Sequence, residues 1–249
     1  MLWKQFGLVK GVAFNSWRRV GPVLPAIKVY NQREVDELIL LDILAHKESC
    51  ELDLASIFEF GEECFVPFTV GGGIENVEQV QLLLRAGADK VCINTANFSK
   101  PNLITQIAKK HGSQSVVASI DALLTTDRKN WVCCSHAGQT MTQHNVAAWA
   151  KELEDRGAGE IIITSIERDG TLEGYDLDLI YAVTSVVNIP VIASGGAGNY
   201  QHMIDAVKLA GASAVAAASM FHFTEQTPAE AKSAMESAGI PVRKAYRNY

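Results

Sequence analysis

Short, unbroken apolar runs rich in β-branched residues recur along the chain, and helically spaced stretches alternate with them. The runs are Glu37–Ile43, Val66–Val70, Lys90–Asn94, Ser115–Ala122, Glu160–Ile166, Ile189–Ala193 and Ser213–Ala217. Apolar runs without polar alternation mark strands covered on both faces, as in a parallel sheet. Helical spacing occupies Asn76–Ala86, Asn102–Lys110, Asn145–Asp155, Asp178–Val187 and Tyr200–Leu209, each closed by Gly or by Asn-Ile-Pro. Such punctuation is where helices stop. Strand and helix alternate without a linker rich in Pro, Ser or charge, which predicts one α/β domain over residues 1–249.

An internal repeat narrows the architecture. The stretch 65–95 matches 188–219: Pro67 aligns with Pro190, Gly72-Gly73 with Gly195-Gly196, Gly87-Ala88 with Gly211-Ala212, and Thr95 with Ser219. The offset is 123, rising to 124 after one inserted residue, and it also pairs Glu37-Leu38-Ile39 with Glu160-Ile161-Ile162. Two (βα)₄ halves predict a TIM (β/α)₈ barrel. The same offset sends the partner of Ser115–Ala122 to positions before Met1, leaving only Trp3–Phe6 where a strand and its loop belong. The first barrel strand is therefore expected to be truncated or degenerate.

Composition changes this picture little, but it removes whole classes of function. The 249 residues carry 22 Lys+Arg against 28 Asp+Glu, a net charge of −6, without a basic block. Nucleic acid and anionic membrane are poor partners for such a chain. Cys50, Cys64, Cys92, Cys133 and Cys134 contain no C-x-x-C and are odd in number, which reads as reduced thiols in a cytoplasmic protein. The N-terminus lacks an apolar signal core, and no 18 consecutive apolar residues occur, so neither secretion nor membrane spanning is expected.

Barrel chemistry gathers at the C-terminal ends of strands. Asp42, Gly71-Gly72-Gly73, Asn94-Thr95, Asp121, Arg168-Asp169-Gly170-Thr171, Ser194-Gly195-Gly196 and Ser219 fall there. Glycine turns that lead into helices offer backbone N–H groups to an anion. The repeat supplies two such cradles across one mouth, each with a Thr or Ser after the next strand, and so predicts a ligand with a phosphate at each end. Substituting Gly196 by Asp is expected to weaken that binding. Asp121 closes an apolar strand, where burial raises a carboxyl pKa and suits it to general acid or base work; pairing with a cation is the equally simple alternative. Asp169 reads either as a site carboxylate or as a turn residue capping its own backbone, and Lys10 either as a phosphate partner or as a surface lysine. His222 reads as packed. The six histidines show no metal-ligand spacing, and neither metal nor cofactor is expected.

VGGGIENVEQVQLLLRAGADKVCINTA, the SIDA strand, GAGEIIITSIERDGTLEGYD, and IPVIASGGAGN followed by ASMFHF closely resemble the cyclase subunit of imidazole glycerol phosphate synthase. The resemblance runs from Gly7 to about Arg243, and S-x-x-RDGT-x-x-GYD is specific to that family. It implies that ammonia condenses with a bisphosphorylated formimino aminoimidazole ribotide, releasing imidazole glycerol phosphate and an aminoimidazole carboxamide ribotide. Asp121 matches one of the family's two catalytic aspartates. Lys10 matches its V-K-G lysine near a phosphate, and Asp169, with Gly170 and Thr171 in the same RDGT motif, its substrate aspartate. Gly72, Gly73, Asn94, Thr95, Gly195, Gly196 and Ser219 match the phosphate loops. Asp42 is the acid in register on the neighbouring strand. Glu37, Lys90 and Glu160 match members of a charged gate at the barrel base, where ammonia enters from a glutaminase subunit bound as a heterodimer.

The departures lie at the N-terminus. WKQFGLVKG stands where the family has a strand of the type IPCLDV, so the resemblance implies that the first catalytic aspartate and the gate arginine are absent. The expected consequence is substrate binding with slow or no cyclisation. The segment IKVYNQREVDELILLDI also resembles a paralogous branch that supplies ammonia to amidinate a surface-polysaccharide sugar. A non-catalytic scaffold that activates a glutaminase is the third reading.

Overall fold

The structure, a computed structural model, describes residues 1–4, 7–43 and 52–244. Cys50 and the second half of the Trp3–Phe6 segment lie outside those residues. The chain opens with β1 (Leu2–Lys4), the hairpin β2 (Gly7–Val12) and β3 (Asn15–Gly21), then α1 (Val23–Gln32), β4 (Leu38–Asp42) and α2 (Leu54–Glu62). It continues through β5 (Phe68–Gly71), α3 (Val77–Arg85), β6 (Lys90–Ile93), α4 (Thr95–Ser99), α5 (Leu103–His111) and β7 (Val116–Leu124). A second hairpin, β8 (Trp131–Ser135) and β9 (Thr140–Asn145), precedes α6 (Val146–Asp155), β10 (Glu160–Ser165), α7 (Leu177–Thr184) and β11 (Val191–Ser194). The last elements are α8 (Tyr200–Lys208), β12 (Ala214–Val215), α9 (Ser219–Phe223) and α10 (Pro228–Ser237).

Parallel ladders join β1, β4, β5, β6, β7, β10, β11 and β12 in that order. These are the eight strands of the expected barrel. Among the described residues no ladder joins β1 to β12, so hydrogen bonding is open at that seam. The strand faces turned to the helices fill the main core with Leu40, Phe68, Val91, Ile120, Ile161 and Ile163, packed against Ile27, Leu83, Ile107 and Leu153.

The predicted strands and helices recur with shifted ends. Two of the strand shifts have a common cause, because Pro67 and Pro190 have no N–H for a ladder and β5 and β11 begin just after them. Their carbonyls instead accept from Leu38 and Ile161. α1 escapes the periodicity because Pro25 interrupts it, yet Pro25 sits in the first turn, where no intrahelical N–H is needed.

One expectation is corrected. The constant offset placed the repeat partner of the fifth barrel strand before Met1, whereas that partner is β1, at Leu2–Lys4, and it is short, as expected of a truncated first strand. Both strands run parallel to the next barrel strand and feed an antiparallel hairpin. Leu2 pairs with Leu41, and Asp121 with Thr164; Leu41 and Thr164 are repeat equivalents at offset 123. Leu2 therefore occupies the position equivalent to Asp121. The extrapolation failed because the connection from β7 to β10 is longer than that from β1 to β4.

Candidate active site

Side chains alternate across a strand, so every second residue enters the barrel. On β10 these are Glu160, Ile162 and Thr164; on β6 and just beyond it, Lys90, Cys92 and Asn94; on β7, Val117, Ser119 and Asp121. The barrel interior is thus layered along its axis. A charged ring lies at the strand beginnings, and above it Cys92, Val117, Ile162 and Ile192 form an apolar layer with Ile39, Leu41 and Ala216. Ser119 and Thr164 follow, and Asp121 stands at the mouth.

The mouth opens into a cavity of about 750 Å³. Lys10, Asp42, Asp121, Asp169 and Gly170 line it, and so do Gly72, Gly73, Asn94 and Thr95 on one side and Gly195, Gly196 and Ser219 on the other. Of the residues singled out for substrate, Thr171 alone is not in the lining. Its hydroxyl donates to Arg168 O at 2.8 Å, inside its own loop.

Burial pushes the Asp121 carboxyl up to about 7, against the opposing hydrogen bond from Asn94 and with the help of the Asp169 charge. Asn94 donates from Nδ2 to Asp121 Oδ2 at 2.7 Å, which fixes the carboxylate's rotation. A carboxyl poised near neutrality takes and gives protons at comparable cost. Lys10 and Asp169 form a buried ion pair. Breaking one partner of such a pair leaves an uncompensated charge, so the two residues act as one unit.

The two cradles share backbone chemistry. Gly72 has φ +109°, and a Cβ there would stand 2.1 Å from Asp42 O; Gly196 has φ +111°, and its Cβ would stand 2.1 Å from Gly174 O. Glycine alone fits either turn. Beside the turns, Ser219 Oγ and Asn94 Oδ1 are buried without a hydrogen-bond partner. A buried hydroxyl left unmatched costs free energy, and a ligand oxygen at Ser219 would offset that cost.

At the opposite end, Lys90 Nζ reaches Glu160 Oε1 at 2.7 Å and Glu37 Oε2 at 3.0 Å. Burial alone would lower the Lys90 pKa, but the hydrogen bonds it donates to the two carboxylates outweigh it and raise it. The three residues named from the resemblance are therefore one cluster. His222 is a packed residue, with Nδ1 2.8 Å from Tyr30 Oη and a pKa lowered to about 4, chiefly by burial.

Sequence reasoning missed Phe14, Trp17 and His136, which also line the cavity. All three sit on the two hairpins, whose exposed strands carry no apolar run to announce them. The backbone N–H of Ala13 donates to Asp169 O at 2.7 Å, and a Cβ on Gly138 would lie 3.0 Å from the Phe14 ring. The hairpin tips thus meet over the mouth. Among the described residues no group of three or more His, Cys, Asp or Glu is placed to hold a metal ion. The four described cysteines are free thiols, and no described helix is long and apolar enough to cross a membrane.

Residues 4–227 match the family described as Histidine biosynthesis protein. The proteins named Imidazole glycerol phosphate synthase subunit HisF from two strains of Caulobacter vibrioides, NA1000 / CB15N and ATCC 19089, are each 48% identical to this chain over 236 residues. The alignment covers 95% of this chain and 91% of each relative. The barrel, its duplicated cradles and this similarity agree: the chain belongs to the histidine biosynthesis protein family, on its HisF side.

Proposed function

We propose that the chain is the cyclase subunit of imidazole glycerol phosphate synthase, using ammonia to convert the bisphosphorylated formimino aminoimidazole ribotide into imidazole glycerol phosphate and the aminoimidazole carboxamide ribotide. The observation that carries this reading is the pair of repeat-related cradles on opposite sides of one cavity, with Asp121 at the mouth between them. The Gly72–Gly73 turn with Thr95 holds one phosphate, and the Gly195–Gly196 turn with Ser219 holds the other. Asp121 moves protons at the closing ring, and Asn94 keeps its carboxylate turned. Lys10 and Asp169 act together at the substrate, and Asp42 borders it.

Ring closure needs protons moved at two places, and a positioned carboxylate contributes roughly 10²–10⁴-fold. β1 carries Leu2, Trp3 and Lys4, and its Leu2 takes the place equivalent to Asp121. Asp42 is one strand away, roughly 5 Å, which is too far to serve the same proton. This chain therefore cyclises with one carboxylate, and slowly.

Ammonia enters through the base from a glutaminase subunit. The apolar layer above the Lys90 cluster suits neutral ammonia better than ammonium, since a charge is costly to bury unpaired. Phe65, 79% exposed before β5, and Leu209, 67% exposed after α8, stand at the same end and suit a protein partner. Expression in a histidine auxotroph lacking this subunit, on medium rich in ammonium, is expected to restore growth. Growth only with added histidine would favour the sugar-amidinating alternative.

A further inference from the structure

We infer that the side-chain amide of Asn94 holds the incoming ammonia, its Oδ1 accepting one N–H and leaving the nitrogen lone pair free for the substrate. The inference rests on the ammonia-using cyclase reading above.

Asn94 carries an acceptor with nothing to accept from. Its Nδ2 donates to Asp121 Oδ2 at 2.7 Å. An ionised carboxylate only accepts, so this contact turns the NH₂ end of the amide toward Asp121 and Oδ1 away from it. Oδ1 is buried and has no partner, a cost that persists until something donates to it. Four other buried side-chain atoms among the described residues share that state, on Asn97, His111, Trp149 and Ser219. Of the five residues, Asn94 and Ser219 line the cavity. The Ser219 hydroxyl has a proton to give, which suits a phosphate oxygen in its cradle. Asn94 Oδ1 has none, so the partner it lacks is a donor and not a phosphate dianion.

The place of Asn94 in the barrel indicates which donor. Lys90, Cys92 and Asn94 stand in file up one wall of the interior, from the charged base to the mouth. The stretch between is neutral. Cys92 belongs to the apolar layer, and burial first, then the Asp121 charge, pushes its thiol up to about 12. A molecule crossing that layer arrives uncharged, because an unpaired charge is costly to bury. Asn94 is the first residue above the layer on this wall, and it offers an acceptor. Ammonia has three N–H groups and one lone pair, so an amide oxygen can hold it by a proton and leave the lone pair available. A carboxylate in the same place would favour ammonium, which has no lone pair to offer.

The test varies ammonium salt and the bisphosphorylated ribotide in turn with the purified full chain, expressing KM in free ammonia. Ribotide affinity is measured separately by calorimetry without ammonia. Asn94→Ala is expected to raise KM for ammonia roughly five- to tenfold, the loss of one hydrogen bond, and to leave the ribotide Kd unchanged. Its kcat falls as well, because Asp121 loses its orienting donor, and that fall alone is what a purely structural role would give. Asn94→Leu, similar in size and without polar atoms, is expected to show the same rise in KM and serves where the alanine variant does not fold. A lower kcat at unchanged KM for ammonia would overturn the inference and leave Asn94 as a support for Asp121. A matching loss of ribotide affinity would overturn it in favour of a ribotide N–H or hydroxyl at Oδ1. No imidazole glycerol phosphate from the parent chain would overturn the cyclase reading, and this inference with it.

Discussion

Asp121 shows what burying a single carboxyl costs the fold. Its pKa is about 7 in the folded chain, raised by burial, against roughly 3.9 when unfolded. Between those values the native state binds more protons than the unfolded state, so stability falls as pH rises and the cost is complete above about 7. Asp121→Asn, which keeps an oxygen for Asn94 to donate to, is expected to be more stable than the parent at pH 8, by roughly 1–4 kcal/mol. The difference should vanish near pH 4, and thermal unfolding across pH reads it directly. Ser219 separates binding from folding in the opposite way. Since its Oγ is buried and unmatched, Ser219→Ala should leave stability unchanged or higher by about 1 kcal/mol, while sulfate affinity at that cradle drops several-fold. A lower melting temperature with unchanged affinity would show the hydroxyl to be structural. Gly196→Asp is a poorer probe than the sequence alone implies, because its Cβ would meet Gly174 O at 2.1 Å and damage the turn itself.

At the scale of elements, what was legible in the chain was what repeats. The apolar runs and the glycine turns at offset 123 report strands buried on both faces and the turns that follow them, because burial and backbone approach leave marks in residue type. The hairpins left none. β3 and β9 contain no buried residue, and both are specified by pairing to a neighbour rather than by burial. His136 reaches Thr95 across 41 positions only because β8 pairs with β7, a contact no spacing along the chain foretells. The base cluster is the opposite case, since Glu37, Lys90 and Glu160 all stand at strand starts and the barrel gathers them. Lys90→Ala leaves two carboxylates facing each other with no cation between them. It is expected to uncouple glutamine hydrolysis from product formation in the complex while ammonium-driven activity remains. Unchanged coupling in that variant would remove the gate.

At the scale of the whole molecule, two half-barrels of one ancestry have become unequal. The second half carries Asp121 on β7, while the first carries Leu2 of β1 in the equivalent register. On the proposed function, one half supplies the proton-transferring group and both supply a phosphate cradle. The most direct test is the rate at which purified chain, given ammonium salt and the bisphosphorylated ribotide, forms imidazole glycerol phosphate. Product is expected at a rate below the order of 1 s⁻¹ reached by ordinary enzymes, falling at least a further ~100-fold in Asp121→Asn. No product above the uncatalysed rate, or the same rate from Asp121→Asn as from the parent, would contradict a cyclase that works through this single carboxylate.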